Sequence, residues 1–185
     1  GAPGEVSNGA AQAVGVVHVY SATTGAPLHI VADPNPATTG ATTLFGSAVL
    51  LLGGKPIVGA PGSDLTDNGA GVVYVFDAAS GTLLRTIPSP SPTQHMAFGA
   101  SLAALGTDIL VGQPGEVYGN ATTGLGTVFR IDPASGALLK TYSLADLNTG
   151  FGYAVAALGG NVLIGAPFDS TLADDGGTAY LFDAA

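Results

Sequence analysis

The dipeptide Phe-Gly returns on a fixed beat: Phe45-Gly46, Phe98-Gly99 and Phe151-Gly152 stand 53 residues apart both times. A period of this length carries one supersecondary unit that cannot bury its apolar face alone, so successive units must stack. Each Phe-Gly is followed by an apolar run, at 48–52, 102–105 and 154–158. A tight turn comes next, at Gly53-Gly54, Gly106-Thr107 and Gly159-Gly160. The second run ends in small residues: Gly59-Ala60-Pro61, Gly112-Gln113-Pro114 and Gly165-Ala166-Pro167. A third run, at 71–76, 126–131 and 177–182, opens on Gly in each repeat. It closes on Asp77-Ala-Ala-Ser-Gly81 and Asp132-Pro-Ala-Ser-Gly136, and Asp183 begins the same phrase. A fourth run occupies 82–87 and 137–142. The first 43 residues fit the same template entered halfway, with Gly1-Ala2-Pro3 at the end of a second run.

The runs are short, rich in Val, Ile, Leu, Tyr and Phe, and bounded by turn residues, which is strand chemistry. Several are apolar at successive positions, as in Val72-Val73-Tyr74-Val75-Phe76. A strand with one wet face alternates, so these strands are predicted to be covered on both faces. Four-stranded sheets sandwiched between their neighbours satisfy that requirement. The predicted fold is therefore all-β: β-propeller blades of four antiparallel strands, one after another. A single β-sandwich with chance repetition is the competing fold. It does not account for the recurrence of four distinct runs in one order with their turns.

Composition narrows the function. The net charge is −9, with four basic residues, Lys55, Arg85, Arg130 and Lys140. Phosphate and anionic-lipid surfaces need clustered Lys and Arg, so neither nucleic acid nor a charged membrane surface is an expected partner. Only 9% of residues are charged, which leaves solubility to Thr, Ser, Asn and Gly. The absence of Cys removes disulfides, thiolate metal sites and Cys nucleophiles. Gly, Pro or Asp interrupts every apolar stretch before it reaches the length of a membrane span. Residues 1–9 have neither the basic start nor the apolar stretch of a signal peptide. The chain reads as a mature form or as a fragment of something longer.

Phe-Gly and Gly-Ala-Pro at fixed separation resemble the FG-GAP repeat of integrin α-subunit propellers, and more closely the short bacterial variety. Phe151-Gly-Tyr-Ala-Val-Ala and the run 71–76 carry that pattern almost in full. The resemblance spans essentially the whole chain. It implies a propeller, usually of seven blades, in a secreted or cell-surface setting. Integrin-type repeats often carry an Asp-rich calcium loop between the first two strands. Here those turns, at 53–56, 106–108 and 159–161, lack the several oxygen ligands calcium needs, so the family's calcium sites are not carried over.

The runs count to thirteen strands, in sets of two, four, four and three, or about 3.25 blades. One propeller-blade region fills 1–185: a partial blade at 1–43, full blades at 44–97 and 98–150, and a partial blade at 151–185. Thirteen strands fall short of a closed ring, and both ends would bear open sheet edges. Three arrangements meet this: a fragment of a larger propeller, two copies approaching a ring of about seven blades, or a filament in which copies complete each other's blades.

Strand direction alternates within a blade, so loops after second and fourth strands share one face. These loops are long and varied (62–70, 115–125, 168–176, 32–43, 88–97 and 143–150). The opposite face has only tight turns, so binding residues are expected on the looped face. It carries Glu5, Asp64, Asp67, Glu116, Asp169, Asp174 and Asp175. Two of its clusters are candidates for calcium: Asp64, Asp67 and Asn68, and Asp169, Asp174 and Asp175. Their spacing does not match an EF-hand loop, and solvated loop carboxylates are the competing reading. His18 and His29 lie on paired runs and have no evident third ligand. Asn120-Ala-Thr122 is a glycosylation triplet, and Pro88-Ser-Pro-Ser-Pro92 reads as a stiff spacer. Tyr118, Tyr153, Phe168 and His95 offer stacking or hydrogen bonds to a sugar.

No Gly-x-Ser-x-Gly elbow and no phosphate-cradling loop is present. The function expected is a non-catalytic extracellular scaffold for adhesion or protein–protein interaction, with a protein partner or further copies of itself, no membrane insertion and no resident cofactor beyond the calcium candidates. The alternatives are a self-assembling fibre subunit and a carbohydrate- or ligand-binding module of a larger secreted enzyme.

Overall fold

The structure is a computed structural model that describes residues 1–3, 15–36, 42–115, 125–145, 149–171 and 176–184. Glu5, Glu116, Tyr118, Asn120, Asp174 and Asp175 lie outside the described residues. Thirteen strands, and no helix, occur among those described. The first sheet pairs β1 (Val16–Tyr20) with β2 (Pro27–Ala32). The second runs β3 (Ala48–Leu52), β4 (Lys55–Ala60), β5 (Val72–Phe76), β6 (Leu83–Pro88). The third runs β7 (Ser101–Leu105), β8 (Asp108–Gln113), β9 (Thr127–Ile131), β10 (Leu138–Ser143). The fourth holds β11 (Ala154–Leu158), β12 (Asn161–Ala166) and β13 (Thr178–Asp183). Every pairing is antiparallel and between chain neighbours. The sets of two, four, four and three are those expected from the runs, and the result is a partial propeller that does not close.

Three apolar layers hold the four sheets together, one at each junction. Val17 and Val31 of the first sheet meet Phe45, Val58, Val72, Tyr74 and Phe76 of the second. Ile57, Val73, Val75 and Ile87 on the other side of that sheet meet Phe98, Ile109, Val111, Phe129 and Ile131 of the third. Leu110, Val128 and Tyr142 then meet Phe151, Val162, Ile164 and Ala166 of the fourth. This is why β5 is buried at all five positions, as its unbroken apolarity requires, whereas β13 alternates between half-buried and exposed. Both faces of β5 have a neighbouring sheet, and only one face of β13 does. Among the described residues the first sheet has no first strand opposite β3, and there Val49 and Leu51 are exposed.

The Phe-Gly beat is the fastening at these junctions. Phe45, Phe98 and Phe151 are each wholly buried. The glycine after each has φ of +90°, +91° and +93°, a backbone region that side chains disfavour. Its N–H donates within its own blade to the Gly-Ala-Pro glycine, at 3.0, 3.0 and 3.1 Å (Gly46 to Gly59, Gly99 to Gly112, Gly152 to Gly165). Its carbonyl presses against the corresponding glycine of the preceding blade. A Cβ built on Gly59 would stand 2.0 Å from the Gly99 oxygen, and one on Gly112 2.1 Å from the Gly152 oxygen. The two glycine motifs are thus halves of one contact between sheets.

Polar links reinforce the layers. Gln113 replaces the Ala of Gly-Ala-Pro, and its buried Oε1 accepts from Ser89 Oγ of the preceding blade at 2.5 Å. Ser89 belongs to the Ser-Pro connector, which is therefore tied to the next sheet. Arg130 stands where Val75 stands one blade earlier. Its Nε donates to Asp108 at 2.7 Å and its Nη1 to the Ala184 carbonyl at 2.9 Å, so it binds the last sheet to the third. Asp77 and Asp132 close the turns between third and fourth strands. Asp77 Oδ1 accepts from the N–H of Ala79 and Ser80 at 3.0 and 2.8 Å, and Asp132 Oδ1 from Ala134 N–H at 2.9 Å. The Ser80 and Ser135 hydrogen bonds hold these two carboxyls below the usual carboxylate range.

Candidate functional site

The Phe-Gly and Gly-Ala-Pro turns do more than join sheets. On the looped face they line a groove of about 350 Å³ that crosses three blades. Leu44 and Ser47 flank the first Phe-Gly, and Ala97 and Ala100 flank the second. Tyr153 follows the third. Pro61 and Pro114, with the glycines after them, form the floor between. The wall is largely aliphatic, with His95 and Tyr153 as its polar tips. Tyr153 is half exposed, and its ring meets Phe168 edge-on at 6.5 Å between centroids.

The groove concentrates backbone strain. Leu44, His95 and Ala97 have φ of 54°, 59° and 56°, are the only non-glycine residues with positive φ among those described, and all three line it. Leu44 and Ala97 are equivalent, each preceding a Phe-Gly, and in the last blade the same position is Gly150, at φ +66°. The turn therefore demands this backbone region, and two blades meet the demand with a side chain that projects into the groove. Non-glycine residues held this way cost of order 1–2 kcal/mol and cluster at binding sites.

The loop bearing His95 is stitched to its neighbours. His95 N–H donates to the Asn68 carbonyl at 2.8 Å, Ala97 N–H to Gly69 at 3.1 Å, and Gly115 N–H to Met96 at 3.1 Å. The Asp64 carboxylate accepts from Gly69 N–H at 2.7 Å and that of Asp67 from Asn68 N–H at 2.8 Å. The first calcium candidate, Asp64, Asp67 and Asn68, thus braces the loop that carries His95. In the second, Asp169 accepts from Thr171 N–H at 2.8 Å and Tyr180 Oη at 2.5 Å. These bonds, those with Thr171 first, lower its pKa. Among the described residues, no three His, Cys, Asp or Glu side chains gather as a metal-binding group.

The structure separates the two strand histidines. His18 pairs with Ile30, and His29 with Val19. Side chains alternate along a strand, so the two imidazoles point to opposite faces of the first sheet. His18 stacks on Tyr20 at 6.2 Å, while His29 lies against Gly81 of the second sheet. A buried polar cluster that the motifs did not reveal sits at the first junction. Thr43 Oγ1 donates to Asp33 Oδ2 at 2.5 Å. Burial pushes the Asp33 carboxyl up, opposed by hydrogen bonds from Thr43 and Asn35. Burial, with the Asp33 charge behind it, also pushes up the Tyr74 phenol.

Comparison with known proteins bears out the resemblance. The FG-GAP repeat model matches residues 146–182. No curated protein matches the chain. Among solved structures, one described as the structure of the Dos1 propeller aligns with a TM-score of 0.56 and 16% identity. The alignment covers 91% of this chain and 39% of that one, so the chain spans about two fifths of that propeller's length. The chain is a partial β-propeller. It carries the FG-GAP repeat.

Proposed function

We propose that this chain is a non-catalytic protein-interaction module of the extracellular or cell-surface kind, and that the looped-face groove is its contact surface. The observation that carries the reading is the groove itself: aliphatic, crossing three blades, set on a rigid frame and edged by strained backbone. Such a surface suits side chains of an extended protein segment, with Tyr153 as an aromatic anchor. Carbohydrate is the second reading. It is favoured by His95 at the rim and by the Tyr153–Phe168 pair, which presents an aromatic edge and face together.

Selection of a displayed peptide library on the immobilised chain tests the first reading, and a glycan array tests the second. The expected result is peptide enrichment on the parent that is lost with Tyr153→Ala, whose melting temperature stays within a few degrees because the side chain is half exposed. Glycan binding that depends on Tyr153 moves the assignment to the carbohydrate reading. Enrichment that survives Tyr153→Ala and Leu44→Asp removes the groove from the interaction.

A further inference from the structure

The last sheet keeps a socket that no Phe-Gly turn among the described residues fills. At each of the three junctions, two glycines of one blade receive the Phe-Gly turn of the next. A Cβ on Gly1, Gly59 or Gly112 would lie 2.0, 2.0 or 2.1 Å from the oxygen of the following Phe-Gly glycine. A Cβ on Gly15, Gly71 or Gly126 would lie 2.4, 2.2 or 2.2 Å from the oxygen of the following Phe. The fourth sheet repeats both, as Gly165 and Gly177. Around Gly165 the nearest atom to such a Cβ is Ala154 Cβ of its own sheet, at 3.5 Å, and φ is ordinary. A mid-strand glycine with no close neighbour only weakens its strand. Its place in the socket supplies the reason that its own sheet does not.

The surface around the socket matches as well. Ile57 and Leu110 hold the position of Leu163 in the two complete blades and are 1% and 0% exposed, whereas Leu163 is 38% exposed. Val75 is 1% exposed, and its counterpart Leu181 is 61%. Leu158 adds a third bare aliphatic side chain at the inner edge. This is the covered face of a blade with its cover missing.

We propose that the outer face of β11–β13 is a docking surface for a further FG-GAP blade, which seats its own Phe-Gly turn on Gly165 and Gly177. The occupant follows from the three internal junctions, since in each the element that fills this socket is a Phe-Gly turn leading an apolar first strand. A second copy does not supply that turn, because its three Phe-Gly turns are already seated. The inference does not rest on the looped-face reading, which concerns a different surface.

The test lengthens the 185-residue chain by joining a copy of residues 133–185 directly after Asp183, where the repeat phrase continues in register. The addition supplies a fourth strand for the last sheet and then a blade led by Phe-Gly. In the original chain, Gly165→Val should leave the melting temperature unchanged or raise it. In the lengthened chain it should lower it by several degrees, and Leu181→Asp should show the same dependence on the added blade. Amides of β12 and β13 should exchange about tenfold more slowly once the blade is present. Equal effects of Gly165→Val in both backgrounds, or exchange that the added blade leaves unaltered, would overturn the proposal. So would self-association of the original chain that Leu181→Asp abolishes, since the occupant would then be a second copy.

Discussion

Replacing Gly59 by alanine places a methyl group where the second junction has no room. The new Cβ would stand 2.0 Å from the Gly99 oxygen and 3.0 Å from its carbon. Both are backbone atoms, so no side chain can swing aside. Carbon and oxygen are comfortable at roughly 3.3 Å, so the Phe-Gly turn must retreat by about 1.3 Å. That turn is held by Gly99 N–H on Gly112 and by Phe98 N–H on Ala70, both at 3.0 Å, and it anchors a wholly buried phenylalanine. Overpacking of this kind costs about 1–3 kcal/mol. Partial withdrawal of Phe98 adds to it, towards the ~3–5 kcal/mol of losing such a ring outright. The expected cost is about 2–4 kcal/mol. Gly165→Ala is the matched control. Its Cβ meets nothing closer than 3.5 Å, and alanine serves a strand better than glycine by about 0.5–1 kcal/mol. Urea and thermal melts followed by circular dichroism should separate the two variants by roughly 10 °C. Equal midpoints would show that the close glycine–carbonyl approach is not what fastens the blades.

Two further outcomes can be measured. Ala97→Gly should leave stability unchanged or raise it by up to about 1 kcal/mol in the same melts, because relief of the positive φ outweighs the added freedom of the unfolded chain. A loss beyond about 1 kcal/mol would show that the turn before Phe98 is not strained. The second outcome concerns pH. Asp77, Asp132 and Asp169 have lowered folded pKa values, so the stability they contribute is present above the unfolded value of about 4 and is lost as pH falls through the folded ones. Asp33 has the opposite sign: its folded pKa is raised, so its ionisation costs stability as pH climbs from about 4 through the folded value. Urea midpoints should therefore fall on acidification below about pH 4. Asp33→Asn should gain on the parent towards neutral pH, and a gain that is the same at pH 3 and pH 7 would refute the assignment.

The architecture was legible because it is written locally and several times over. Strand runs, their turns and their grouping follow from apolar residues bounded by Gly and Asp phrases, and repetition averages out the ambiguity of any single run. The unbroken apolarity of β5 announced two covered faces before any sheet was paired. The looped face was also readable, since alternating strand direction alone assigns the loops to it. Within it, Tyr153 and His95 could be named as aromatic and polar groups, but nothing local said that they border one groove. Pro61 and Pro114 were read only as the ends of second runs, yet with Leu44 they line it.

What the sequence by itself determined is a stack of four-stranded blades entered and left partway, because a repeated pattern of apolar runs and turn glycines has one economical way to hide its faces. Tertiary structure alone decided which residues meet across that stack. Ser89 finds Gln113, and Arg130 reaches both Asp108 and the Ala184 carbonyl. Pairing register sends His18 and His29 to opposite sides. These depend on the angle and spacing between sheets, which the fit of Phe-Gly carbonyls against glycine backbones sets at a precision that no count of residues along the chain contains.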